Sequence, residues 1–498
     1  MSPNSRGTFH YPIMLVNVLL NMACGNSLHT TSIHILDNDS LLNIFHLCRP
    51  FLLSKGHWQD ANMRFGGGRQ WVGERWWYRL AHVCQRWRNL ILGSASYLGL
   101  CLVCTYGTPV VKMLARSPPL PLVIDYEYED ITAKDEKAII LALAQRDRVR
   151  RIRLALPVLK LKKLIMAMDG GYPILEYLLL GDLIKGGGMA LILPERLQTP
   201  RLRHLTIDCP IPLRSSSLGT TANLVILCLP MRHPSTYFEP TALLQWLSLM
   251  PQLEKILIVF HFPVSDHDVE RQLMRTPIMT HVTLPNLRLF HLKAVSSYSE
   301  AVLSRITAPR LETFQILYPN ELTSSVPHLL QFMKRTKSLR FYRAKFNFCS
   351  DYVVAEVYSR KGETYPFYME VECLHLDWQV STVAQIFNAL SQTFSTVKHL
   401  TVTHQEHSLS SEEHNEVDRS EWRKLLRSFR NVKTLRIEDG LIGEFSRSLR
   451  LEDGEHALDL LPELQELTYS ASGNTNDAFT SFIDARQSEG RPVTLIES

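Results

Sequence analysis

The sequence predicts an α/β protein, in which a short all-helical segment is followed by an irregular solenoid of strand–helix units. Three observations carry this expectation. An eight-residue pattern with apolar residues at its third, sixth and eighth positions recurs from about residue 148 onward. Segments with helical periodicity lie between the recurrences. Two amphipathic stretches, near residues 37–48 and 76–92, precede the array. The length of 498 residues exceeds a single core, since domains average roughly 150 residues. Hydrophobic residues make up 45% and charged residues 21%, ordinary values for a folded chain. A net charge of +5 over this length gives no argument for nucleic-acid binding without a concentrated patch.

The first apolar run, Tyr11 to Ala23, covers thirteen residues. Spanning a bilayer takes about 20, so it is too short for a membrane helix. It has the look of a signal-peptide core, with only Arg6 before it, but nine cysteines without framework spacing point to reduced, buried thiols. We therefore read residues 1–31 as a loosely attached segment and expect a cytoplasmic or nuclear protein. "DNDSLLNIFHLCRP" follows as a helix, with Asp37, Asn38 and Asp39 as cap candidates and Pro50 as its stop. Gly66, Gly67 and Gly68 mark a flexible insertion over 56–74, with no following Lys-Ser or Lys-Thr to make a phosphate loop. "WWYRLAHVCQRWRNLIL" spans Trp76 to Leu92, with Trp76, Leu80, Val83, Cys84, Trp87, Leu90 and Ile91 on one face of a single helix. "LCLVCTY" reads as a core strand. Its Cys101 and Cys104 lack a second ligand pair for zinc. Thr108-Pro109 starts a short helix, "PLPLVIDY" is a strand, and Thr132 to Asp147 is a capped helix.

The repeats then align as "PILEYLLL" (173–180), "PRLRHLTI" (200–207), "ANLVILCL" (222–229), "PQLEKILI" (251–258), "PNLRLFHL" (285–292) and "PRLETFQI" (309–316). They continue as "KSLRFYRA" (337–344), "STVKHLTV" (395–402), "RNVKTLRI" (430–437) and "PELQELTY" (462–469). "RVRRIRLA" (148–155) and "EVECLHLD" (370–377) fit more loosely, and starts lie 22 to 35 residues apart. Helical segments such as "PTALLQWLSLM" and "SVPHLLQFMKR" fill the gaps. A strand plus a helix at this period resembles a degenerate leucine-rich repeat, whose units stack to share a core.

No G-x-S-x-G, H-E-x-x-H or G-x-x-x-x-G-K occurs. His404, His407 and His414 collect beside several acids, but that stretch lacks the apolar residues that would hold metal ligands in place, so it reads as a loop. We expect no enzyme, no metal and no cofactor.

The pair "ILDNDSLLNIF" and "WWYRLAHVCQRWRNLIL" resembles the F-box of the large fungal F-box-like families, on Leu41, Leu42, Ile44 and Phe45, then Val83, Cys84, Trp87 and Arg88. The usual Leu-Pro start is replaced by Leu36-Asp37, and the glycine-rich insertion parts the helices. The resemblance covers about residues 33–125. It implies the substrate receptor of an SCF-type cullin ubiquitin ligase, with a Skp-family adaptor and cullin as partners and no role for nucleic acid or membrane. The alternative is a leucine-rich-repeat interaction scaffold without ligase association. The resemblance assigns adaptor contact to Leu36, Leu41, Leu42, Ile44, Phe45, Leu80, Val83, Cys84, Trp87 and Leu90. The expected organisation is an F-box-like domain over 32–105, a linker and first strand–helix unit over 106–147, and repeats over 148–498.

Side chains alternate across a strand, so the variable positions of each repeat strand project from the sheet opposite the core. Those positions give Tyr177, His204, Lys255, His291, Arg343, His375, His399 and Arg436 as substrate-binding candidates, beside Thr206, Gln315 and Thr434. The set holds no acid. It would suit an acidic or phosphorylated protein substrate, because arginine pairs bidentately with phosphate.

Overall fold

The computed structural model describes residues 35–49, 76–183, 191–211, 222–232, 234–262, 264–275, 278–319, 326–360, 365–404, 418–438, 440–451, 455–456, 458–469 and 479–497. The chain is mixed α/β and divides into two compact units. The first is Met1–Leu202 with Ser216–Gly219, and the second takes Arg203–Ser215 and Thr220–Ser498. This division falls near residue 202, whereas the sequence pattern predicts boundaries at 105 and 147. The helical segment and the first strand–helix units belong to one body.

In the first unit, α1 is Asn38–Leu47, α2 Trp76–Ala81, α3 Gln85–Gly93 and α4 Ala95–Leu98. The Asp37 carboxylate accepts the Ser40 amide at 2.7 Å and caps α1. The stretch from Trp76 is two helices rather than one. Val83 and His82 close α2 with bonds to residues three back. Cys84 is extended (φ −155°, ψ 169°), and its sulfur accepts the Trp87 amide as the cap of α3. The break turns the apolar stripe. Trp77, Leu80, Ala81, Trp87 and Ile91 are buried, whereas Trp76, Val83, Cys84 and Leu90 are half-exposed. Gly99 (φ 61°) ends α4 where a Cβ would meet the Arg49 guanidinium at 3.0 Å.

The sheet of this unit starts at the strand through the CxxC. Strands β1 (Leu102–Cys104), β2 (Leu122–Glu127), β3 (Val149–Leu156) and β4 (Tyr177–Asp182) pair in that order, all parallel. Helices α5 (Val110–Arg116), α6 (Ala133–Leu143) and α7 (Val158–Met166) connect them. Thr132 and Asp135 form a reciprocal capping box at the start of α6. Cys101 and Cys104 are both buried and free, and Trp77 donates its indole N–H to the Cys101 carbonyl at 3.3 Å.

In the second unit the repeat strands are β5 (His204–Asp208), β6 (Ile226–Met231), β7 (Lys255–Phe260), β9 (Leu289–Lys293) and β11 (Thr313–Tyr318). The pair β8 (Val282–Thr283) and β10 (Ile306–Thr307) forms a small separate ladder. Then come β12 (Arg343–Phe348), β13 (Tyr352–Tyr358), β14 (Phe367–Glu372), β15 (His399–His404), β16 (Thr434–Ile437), β17 (Glu466–Tyr469) and β18 (Thr494–Glu497). In each motif the first apolar residue precedes the strand in a buried turn, as Leu253, Leu287 and Leu311 do. The next two lie on the strand and point into the core, except in "KSLRFYRA", where Tyr342 precedes β12 and is half-exposed, and in "EVECLHLD", which runs from the end of β14 into the helix that starts at Leu376. The turn is tied to the preceding repeat by backbone bonds such as Glu254 N to Val225 O and Arg288 N to Glu254 O, both 2.8 Å. These bonds share donors and acceptors between neighbouring repeats.

Helices α8 (Pro240–Leu247), α9 (Asp266–Arg275), α10 (Ser296–Leu303), α11 (Pro327–Arg335), α12 (Leu376–Ala389), α13 (Arg419–Arg427), α14 (Ile442–Leu449) and α15 (Thr480–Ser488) complete the unit. Their core is rich in aromatic rings meeting edge to face or tilted. Phe346 lies 4.9 Å from Phe387, Phe348 lies 5.3 Å from Trp422, and Trp422 lies 4.6 Å from Phe445. Glu300 on α10 accepts the His328 and Leu329 amides at 2.6 and 2.9 Å, so it caps α11 from another repeat.

One region departs from the repeat pattern. Strand β14 pairs in parallel with β11, β12 pairs in parallel with β15, and β13 runs antiparallel between β14 and β12. A meander of two hairpins is thus set into the sheet where the sequence pattern predicts a simple strand–helix step. The segments around residues 11–23 and 56–74, and His407 and His414, lie outside the described residues. Among the described residues no helix is long and apolar enough to cross a membrane.

Candidate functional site

Two surfaces take the candidate residues: the helical segment of the first unit and the open sheet face of the second. In the helical segment the phenyl ring of Phe45 meets Trp87 edge-on at 4.9 Å. Leu41, Phe45, Leu80 and Trp87 are each 0% exposed. They are buried side chains in this structure, whereas the sequence expectation assigns them to adaptor contact. The reason is size: large apolar groups on three short helices are covered by one another, as Phe45 and Trp87 are, within the first unit. The other predicted contacts, Leu36, Leu42, Ile44, Val83, Cys84 and Leu90, are half-exposed. Leu47, 69% exposed, lies on the same helix as Leu42 and Ile44. Arg86 ties this surface together. It donates to the Leu36 carbonyl at 2.6 Å and to Asn38 Oδ1 at 3.0 Å, while Arg88 donates to the Ala81 carbonyl at 3.1 Å.

On the sheets, Tyr177 begins β4 in the first unit, half-buried opposite Arg151. The remaining candidates belong to the second unit. His204 and Lys255 begin β5 and β7 and are half-buried. His291 is 5% exposed, its Nδ1 lies 2.7 Å from Gln315 Oε1, and burial holds its imidazole below the ordinary histidine pKa. It is an interior group, where the sequence pattern places it on the surface. His375 is not on a strand at all. It is the N-cap residue of α12, because β14 ends at Glu372, and its ring packs 5.1 Å from Trp378. Arg343 is exposed at the start of β12. His399 lies 2.7 Å from Thr434 Oγ1 and 4.9 Å from the Tyr342 ring, with its pKa lowered first by burial and then by Arg343. Arg436 is open to solvent and 3.3 Å from Glu438.

The acid-free face expected from the repeat positions is also corrected. The meander brings Glu356, Glu370 and Glu372 onto it, with Tyr352, Tyr358 and Tyr368 between them. Tyr358 donates to Glu356 at 2.8 Å and Tyr368 donates to Glu370 at 2.6 Å. Burial, then the neighbouring carboxylates, push both phenols far above the ordinary tyrosine range. Lys293 pairs with Glu372 at 2.8 Å. Among the described residues neither Glu356 nor Glu370 has a cation within salt-bridge distance. The sequence signal for these residues was present. "NFCSDYVVAEVYSRKGETYPFYMEVE" alternates polar and apolar residues around two turn-forming clusters, which is a hairpin pattern.

Across this face, paired residues form continuous rows. One runs Cys228, Leu257, His291, Gln315, Tyr368, Glu356, Lys345, Thr401 and Arg436. Its first part is apolar, its centre holds tyrosine and glutamate, and its last part is basic and hydroxylated. Among the described residues no group of three or more metal-ligating side chains comes together.

No family model matches the chain, and no curated protein matches it. Among solved structures, one similar chain is the leucine-rich repeat-containing protein LegL7 from Legionella pneumophila. It is 10% identical, with a TM-score of 0.25, and the match covers 79% of this chain and 99% of that one. At that score the likeness carries no argument.

Proposed function

We propose that the protein is a non-catalytic receptor that holds a protein partner on the open sheet face of its second unit. The observation that carries this reading is the sheet itself. Helices cover one face, while the other presents half-exposed tyrosine, leucine, glutamate, lysine and arginine side chains in register. Such a face offers area and hydrogen bonding without a nucleophile or metal set. The strand–helix units are read as degenerate leucine-rich repeats on the strength of their sequence pattern.

The finer reading rests on the sequence resemblance of the helical segment to an F-box. In it, the half-exposed Leu42, Ile44, Val83 and Leu90 dock on a Skp-family adaptor, and the chain is the substrate receptor of an SCF-type cullin ligase in the cytoplasm or nucleus. Large apolar side chains at an interface centre can be worth 2 kcal/mol or more each. The test is co-purification of adaptor and cullin with the full chain, and with a Leu42→Asp/Leu90→Asp variant. Capture by the wild type and loss in the variant, with unchanged melting, is the expected result. Absence of adaptor from the wild-type purification removes the ligase role. One observation favours the simpler alternative, a repeat scaffold without ligase association. The inward-facing Leu41, Phe45, Leu80 and Trp87 give the helices a purpose as the closing cap that a repeat array needs.

A further inference from the structure

The open face of the second unit changes character along its rows. We propose that it binds a segment of a protein partner carrying large aliphatic residues at one end and lysine or arginine at the other. The proposal rests on reading this face as the protein-binding surface.

Ile226, Leu257 and Leu289 lie on β6, β7 and β9 and remain half-exposed on the face opposite the helices. A free apolar surface of this kind gains from being covered, at about 25 cal/mol per Å². Glu356 lies farther along the row of Leu257, on β13, and Glu370 lies on β14 in the next row, which runs through Lys293 and Leu317. Their carboxylates are half-exposed, and Tyr358 and Tyr368 orient them by donating hydroxyl hydrogens. A phenol cannot cancel the charge it orients. A partner's lysine or arginine can, and the Tyr358 and Tyr368 rings add faces on which a cation packs favourably. Lys345, opposite Glu356 across the β12–β13 ladder, and Arg343 bound the acidic strip on one side and would repel a cation placed beyond it. The basic group of the partner is therefore confined to β13 and β14, which sets a register.

The spacing follows from the sheet. From β7 to β13 the path crosses β9, β11 and β14, which is four interstrand steps. At about 4.8 Å per step that is roughly 19 Å. An extended segment covers it in about six residues at roughly 3.3 Å each. The expected recognition pattern is thus an aliphatic residue with a lysine or arginine about six positions away.

The experiment selects twelve-residue peptides from a random phage library on the immobilised full chain, then measures the most enriched sequence as a fluorescein-labelled peptide. Enrichment of that pattern is expected. Affinity should fall at least tenfold for Glu356→Gln/Glu370→Gln and at least fivefold for Leu257→Ser, and should not change for Arg436→Gln. The glutamine variant keeps an acceptor for both tyrosines, so circular dichroism melts should match the wild type. Salt should weaken wild-type binding more than binding to the glutamine variant, because exposed charges are screened. Selection of acidic peptides, no enrichment, or equal affinity in the double variant overturns the proposal. Adaptor co-purification reads the helical segment separately, so loss of the ligase role leaves this result interpretable.

Discussion

Trp87 decides whether the helical segment presents its tryptophan to a partner or keeps it as core. The side chain is 0% exposed, meets Phe45 edge-on at 4.9 Å, and lies on α3, which packs with α1. Trp87→Ala removes a whole indole from a closed interior. Such truncations cost about 3–5 kcal/mol, of which the ring pair supplies roughly 0.5–1.5. Among the described residues the indole N–H has no hydrogen-bond partner, a defect worth about 1–3 kcal/mol in a buried site. Trp87→Phe removes that defect along with part of the ring, so its net cost should stay below about 2 kcal/mol. The assay is amide hydrogen exchange resolved to α1 and α3, with near-ultraviolet circular dichroism. In the alanine variant, protection in both helices should fall by two or more orders of magnitude, since 1.4 kcal/mol is tenfold. In the phenylalanine variant it should fall by less than about thirtyfold, and Leu42→Asp should leave it within about a factor of three. If Trp87→Ala keeps wild-type protection in α1 and α3, the tryptophan is not a core residue and the reassignment of the adaptor surface is wrong.

Glu300→Ala should cost about 1 kcal/mol, because it strips the cap from α11, while Glu300→Gln should recover most of this; thermal melts of the three proteins check it. Arg423 is 5% exposed and bonds Glu455 and the carbonyls of Ser448 and Arg450, so Arg423→Ala should destabilise the second unit by about 3–5 kcal/mol in a urea titration. Asp125, buried beside Arg153, has its pKa pushed up to about 6 by desolvation, only partly offset by Arg153. The folded state therefore holds this proton more firmly than the unfolded chain. The contribution is fully present below about pH 4, declines as pH rises toward 6, and is absent above. Asp125→Asn should flatten the fall in melting temperature between pH 4 and pH 6; an unchanged slope would show that another group titrates there.

The sequence by itself determined the local elements. The repeat motifs from "PILEYLLL" to "PELQELTY", apart from the loosely fitting "EVECLHLD", each lead through a turn into a strand, because the position of three apolar residues in eight decides which backbone faces a core. The Thr132 capping box and the Asp37 cap were legible for the same reason: both are interactions within four residues. Tertiary structure decided what faces solvent. Trp76 and Trp87 share one predicted stripe, yet the first is half-exposed and the second is core, because the turn at Cys84 places them on two separate helices, α2 and α3. His375 and His291 are read from the repeat pattern together with His399, the first from a loosely fitting motif. The first caps a helix and the second is sealed against Gln315. The acids of the open face lie outside the repeat pattern for a related reason, although their hairpin alternation is present in the sequence. A period near 28 residues registers a strand and its helix, whereas the meander of β12, β13 and β14 places three strands in one interval. Which residues share a row is then set by hydrogen bonds between strands that are distant in the chain. Gln315 is a neighbour of Tyr368 on the sheet though far from it in sequence, and that adjacency, which joins the β13–β14 hairpin to the repeat strands, exists only once the strands have paired.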